Sequence, residues 1–179
     1  FLSKLEKEHG HRKSTLIMHT DPLDQEGPNL LAVVEQLDIK DNVIFSTARL
    51  DFNDINVLHN ISDCCINVSY AEGFGLATLE AMQTGTPIIA PKTGGQTRQV
   101  VDHRDGSENG VALNIDFQSL VGSQNVPYIY EDYASIGSIS EAMWKMYSLS
   151  PDEKVKLNKK VKDYAFSEFG FQNTVDLWH

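Results

Sequence analysis

Apolar residues recur along this 179-residue chain in two alternating rhythms. Short apolar runs stand at residues 14–20 (STLIMHT), 42–46 (NVIFS), 64–69 (CCINVS) and 86–91 (TPIIAP). Between them the spacing turns helical: Leu2 and Leu5; Leu30, Leu31, Val33, Val34 and Leu37; Ile55, Leu58 and Ile61; residues 75–83; and a further start after Gly94-Gly95. Each short run predicts a strand and each periodic stretch a helix. Strand and helix therefore alternate at least four times, the pattern of an α/β fold whose parallel sheet is covered by helices on both faces. Ligands of such sheets sit at the carboxyl ends of the strands, so the loops after residues 20, 47, 70 and 91 are expected to share the edge that carries the site.

Beyond residue 113 the pattern loosens. Residues 114–138 read as an irregular insertion packed by Tyr128, Tyr130 and Tyr133. Helices resume where Ile139, Met143 and Met146 keep helical spacing. Another begins at Ser150, a good N-cap, with Pro151 in the first position and acids in the first turn. The chain opens on Phe1 in mid-helix character, as a piece of a longer protein would. We expect a single domain over 1–179: a core to 113, the insertion 114–138, and helices over 139–179.

Composition excludes several classes. A net charge of -10 and a pI near 4.9 argue against a general affinity for nucleic acid, which needs a basic footprint. Cys64 and Cys65 are strand neighbours that point to opposite faces and cannot readily pair. With no disulfide framework, a reducing compartment, the cytoplasm, fits best. No apolar stretch reaches membrane-spanning length, and no signal peptide is evident. The acceptor patterns at Asn60 and Asn67 fall in ordered elements and are expected to stay unmodified. His9 and His11 lack a third metal ligand. Lys154, Lys156, Lys159, Lys160 and Lys162 share a helix with Leu157, Val161 and Tyr164, and read as a solvated face, with contact to an anionic membrane as the lesser alternative.

The chemistry concentrates in residues 69–85, SYAEGFGLATLEAMQTG. The turn Glu72-Gly73-Phe74-Gly75 lies between a strand and a helix whose first backbone N–H groups have no internal partners and whose dipole favours an anion. Gly73 and Gly75 let a phosphate come close to the backbone. Glu72 stands before that anion site and, being acceptor-only, suits hydroxyls. Glu80, one and a half turns further on, can take two hydrogen bonds from a vicinal diol such as ribose. A ligand carrying sugar, phosphates and ribose in a row uses all three parts, which describes a nucleotide sugar.

These residues resemble a known signature. Ser69, Glu72-Gly73-Phe74-Gly75-Leu76, Leu79-Glu80-Ala81-Met82, Gly85-Thr86-Pro87 and Gly94-Gly95 look like the donor site of retaining glycosyltransferases with the GT-B fold, most like family 4. The resemblance covers residues 1–113 well and the later helices loosely. It implies a Rossmann-like C-terminal half of a GT-B fold. It implies that Glu72 binds donor-sugar hydroxyls and that Phe74, Gly75 and Leu76 contact sugar and diphosphate. Glu80 would hold the ribose, and Thr47-Ala48-Arg49 the nucleobase. Glu72 and Glu80 are thus the candidate catalytic residues. The donor would carry UDP or GDP, with no cofactor and no metal, and the leaving diphosphate would accept the acceptor's proton.

Departures from the family shape the expectation. Relatives carry an arginine and a lysine that neutralise the diphosphate, and nothing before residue 14 supplies them; Lys92 and Arg98 match no motif. The family's amino-terminal acceptor domain is absent, so the chain alone is expected to transfer little. Where relatives often place a glutamate before a valine pair, Gln99 precedes Val100-Val101, one residue later. Two rivals stand beside the transferase: another GT-B nucleotide-sugar enzyme such as an epimerase, and a module that binds a nucleotide sugar or a protein without catalysis. Thr78, in the place of the required third glycine, argues against a dinucleotide-binding dehydrogenase.

Overall fold

The computed structural model describes residues 1–178 and divides into two compact units, Phe1–Asp51 and the residues from Phe52 onward. In the first, helices α1 (Leu2–His9) and α2 (Leu30–Gln36) accompany strands β1 (Leu16–His19) and β2 (Val43–Ser46). The strands pair in parallel, Leu16 opposite Val43 through His19 opposite Ser46. Asn29 caps α2, its side-chain oxygen accepting from the Ala32 N–H. Asn42 fastens the approach to β1, donating from Nδ2 to the Arg12 and Ser14 carbonyls at 2.7 and 2.8 Å. Leu5 and Val34 are the buried apolar residues of this unit.

The second unit is built on strand β4 (Ile88–Pro91), buried along its whole length. It lies between β3 (Cys65–Ile66) and β5 (Gly110–Leu113), both parallel to it. Alternation of side chains sends Ile88 and Ala90 to one face and Ile89 to the other. On the first face they meet Met82 of α4 (Leu76–Thr84), Val100 of α5 (Gln96–Val100), and Val161, Tyr164 and Ala165 of α7 (Pro151–Phe169). On the second, Ile89 and Leu113 meet Ala142 and Met146 of α6 (Ile136–Tyr147). Helices thus cover both faces of a parallel sheet, as the apolar runs predicted. Cys65 packs against the first cluster and Cys64 against the second, the opposed placement expected of strand neighbours. Burial pushes both thiols up to about 11, leaving them protonated and unreactive at neutral pH. Helix α3 (Phe52–Asn60) precedes β3, and α8 (Phe171–Trp178) follows α7. The start of α7 is a full capping box of Ser150 and Glu153.

Two stretches differ from expectation. The strand predicted over 64–69 pairs only at Cys65 and Ile66. One more rung forms from the Asn67 N–H to the Ile89 carbonyl; the Asn67 side chain then accepts from the Ser69 N–H at 2.9 Å and bends the chain out of the sheet. Residues 114–138 are not an irregular insertion. They form an antiparallel hairpin of β6 (Phe117–Ser123) and β7 (Val126–Tyr133) around a two-residue turn at Gln124 and Asn125. Of the three tyrosines expected to pack it, only Tyr133 does so, stacked between Tyr70 and Phe117 at 4.2 and 4.5 Å. Tyr128 and Tyr130 share the opposite strand face and stay 71% and 62% exposed.

Candidate functional site

Strands β3 and β4 run in the same direction, so the loops that leave their carboxyl ends, 67–75 and 92–95, meet at one edge. Contact between them is backbone against backbone. The Gly95 N–H donates to the Glu72 carbonyl at 3.2 Å, and a Cβ on Gly94 would lie 1.8 Å from that same oxygen. The Gly94-Gly95 pair is therefore a steric requirement of the turn that carries Glu72.

That turn ends at Gly75, which caps α4 with φ at +89° and no side-chain bond to the helix. The first intrahelical bond runs from the Leu79 N–H to the Gly75 carbonyl at 3.1 Å, so the N–H groups of Leu76, Ala77 and Thr78 precede it. Glu72 and Glu80 are both half-buried. Glu72 makes no side-chain hydrogen bond or ion pair among the described residues. Glu80 sits one helical repeat after Leu76, on the same face of α4. Its carboxylate acts on His59 of α3, whose pKa burial lowers and Glu80 partly restores. The Phe74 ring, 44% exposed, meets Phe169 edge-on, and Phe169 meets Tyr164 likewise.

The second unit thus brings together Glu72, Gly73, Phe74, Gly75, Leu76 and Glu80. Thr47, Ala48 and Arg49 are exposed residues following β2, in the first unit. Of the unassigned cations, Arg98 pairs with Glu168 and its carbonyl accepts from the Tyr164 hydroxyl at 2.6 Å, while Lys92 donates to Asn114. His9 and His11 stack on one another, their ring centres 5.9 Å apart.

Three features went unseen in the sequence. Gln99, fully buried, donates from Nε2 to the Phe74 and Gly75 carbonyls at 2.7 and 3.1 Å, and its Oε1 accepts from the Thr78 hydroxyl. The hairpin is tied to the turn by the Asp132 N–H, which donates to the Tyr70 carbonyl at 2.7 Å. Hydrogen bonds from Gln118 and Thr93 hold the Asp132 carboxyl below its usual range. His59 borders Glu80. All three join elements far apart in the chain, and no local spacing announces them.

The family model described as "Glycosyl transferases group 1" matches residues 25–114. N-acetyl-alpha-D-glucosaminyl L-malate synthase of Bacillus anthracis is 28% identical over 146 residues, 72% of this chain and 37% of that protein. Sucrose-phosphate synthase of Thermosynechococcus elongatus superposes with a TM-score of 0.65 at 21% identity, over 92% of this chain and 37% of that one. Anabaena HepE, solved with UDP and glucose, superposes with a TM-score of 0.59 at 16% identity, over 98% of this chain and 51% of that one. These likenesses establish the fold as that of GT-B glycosyltransferases. The chain spans 17% to 37% of the length of curated relatives it matches.

Proposed function

The chain belongs to the glycosyl transferases group 1 family, and from that premise we propose that it is the nucleotide-sugar-binding part of a retaining hexosyltransferase. The observation that carries the reading is the order of groups along one turn and helix: a carboxylate free to accept, an uncapped helix N-terminus behind Gly75, and a second carboxylate further along the same helix. Glu72 accepts hydrogen bonds from hydroxyls of the donor sugar. The N-terminus of α4 holds the diphosphate through backbone N–H groups and dipole. Glu80 accepts from both ribose hydroxyls. UDP or GDP is the nucleotide carried.

No protein nucleophile is needed. The bond between the sugar's anomeric carbon and the diphosphate oxygen breaks, the acceptor oxygen bonds to that carbon on the same face, and its proton passes to the departing diphosphate. The chain's part is positioning and stabilisation of charge on the leaving group. No metal takes part. Acceptor recognition and the cationic clamp on the diphosphate belong to other parts of the whole protein, so this chain alone binds donor and transfers little.

Calorimetric titration in the presence of a chelator tests the reading, using UDP, GDP, ADP and their glucose or mannose conjugates. Saturable binding of one nucleotide and its conjugate is the expected result. A chain that binds none of them, while folded, is not a donor module.

A further inference from the structure

The turn that carries Glu72 is held from beneath by one side chain. Gln99 lies on α5, its side chain fully buried, and its amide has a forced orientation. One end faces two backbone carbonyls, Phe74 at 2.7 Å and Gly75 at 3.1 Å, which only the NH₂ group can serve; the other faces the Thr78 hydroxyl, which donates to Oε1. The residue is fixed in turn by Asn109, also fully buried, whose Nδ2 donates to the Gln99 carbonyl at 2.8 Å and whose N–H donates to the Val100 carbonyl at 2.8 Å. Gln99 therefore ties the turn to the first turn of α4, and Asn109, just before β5, anchors it from behind.

A trans peptide places its C=O and N–H on opposite sides. With the Phe74 and Gly75 carbonyls drawn to Gln99, the N–H groups of Gly75 and Leu76 point the other way, out from the helix N-terminus. We propose that Gln99 is the positioning residue that aims these two N–H groups at the donor's diphosphate, and that a carboxamide is required there. The role in binding rests on the donor-site reading above; the clamp on the turn does not. A carboxylate in this place would set its oxygens against two carbonyl oxygens with no hydrogen between them. A protonated carboxyl could still give one hydrogen bond and keep the turn closed. The groups that touch the Gln99 side chain are uncharged. Titratable residues on the elements around it include Glu72 in the turn, Glu80 on α4, Arg98 on α5, and Lys160, Lys162, Asp163, Tyr164 and Glu168 on α7; the hydrogen bonds of that side chain go to Phe74, Gly75 and Thr78 and to none of these.

Two variants test this, Gln99→Glu and the near-isosteric, uncharged Gln99→Met, each read by amide exchange and by titration with UDP, GDP and ADP. The amides to follow are Leu79, bonded to the Gly75 carbonyl, and Gly95, bonded to the Glu72 carbonyl. In Gln99→Glu, protection at both sites should fall at least tenfold at pH 7.5 and return at pH 5.5. Nucleotide affinity, taken as the ratio of variant to wild type at each pH so that titration of the ligand's terminal phosphate cancels, should follow the same profile. In Gln99→Met both should fall at either pH. Protection in either variant equal to wild type at pH 7.5 overturns the clamp. Lost protection with undiminished affinity overturns the positioning role. If the wild type binds no nucleotide, the donor reading fails, and the protection factors still decide the clamp.

Discussion

Replacing Gly94 by alanine should weaken nucleotide-sugar binding at least tenfold, about 1.4 kcal/mol of binding free energy. Gly94 has φ at +44°, and a Cβ there would fall 1.8 Å from the Glu72 carbonyl oxygen and 3.0 Å from its carbon. No side-chain rotation relieves such an overlap, because both partners are backbone. Either the 92–95 loop or the Glu72 turn must move, and the Gly95 N–H bond to the Glu72 carbonyl goes with it. The left-handed backbone adds its own cost for a residue with a Cβ, so stability should fall by about 1–3 kcal/mol as well. Gly106→Ala separates the two effects: φ there is +75°, but nothing lies within 4 Å. That variant should lose about 1 kcal/mol of stability from backbone conformation alone and bind donor as the wild type does. Calorimetry on the two variants checks the pair; a Gly94→Ala protein with wild-type affinity would show that the turn is not held as described.

The largest loss of stability is expected at Gly110. It stands opposite Ile88 in the parallel pairing of β4 and β5, with φ at +143°. A Cβ would sit 2.0 Å from the Ile88 carbonyl oxygen and 2.7 Å from its nitrogen. Ile88 is fully buried and its N–H donates to the Asn109 carbonyl. Alanine must therefore prise β5 from β4, the strand against which both apolar clusters pack, at a cost of about 3–5 kcal/mol. Thermal melting followed by circular dichroism should show a midpoint lowered by about 10 °C or more. A shift of less than about 3 °C would mean that β5 can move away without disturbing β4.

What was legible in the sequence was local. The strand at 88–91 and helices such as α4 and α7 follow from apolar runs, helical spacing and the cap at Ser150, all written within a few residues of one another. The Glu72 to Glu80 spacing and the glycine turn were legible for the same reason, since a strand, a turn and a helix carry them in order. The hairpin at 117–133 was not: its turn residues, Gln124 and Asn125, lack the glycine that marks tight hairpins, and its aromatic residues stand on both faces. The short β3 was overread because Asn67 turns the chain away through its own side chain. Gln99 stood out only as a displaced residue in a familiar pattern. Its role depends on carbonyls 24 and 25 positions earlier in the chain, and only the fold brings them within reach.

The most direct test of the donor site compares Glu72→Ala and Glu80→Ala with the wild type, by calorimetry without metal. Each is titrated with whichever of UDP, GDP or ADP the wild type binds, and with that nucleotide's sugar conjugate. Glu80→Ala should weaken both ligands alike, because both carry the ribose. Glu72→Ala should leave the bare nucleotide unchanged and weaken only the conjugate. Equal effects of the two substitutions on both ligands would contradict the assignment of sugar to Glu72 and ribose to Glu80.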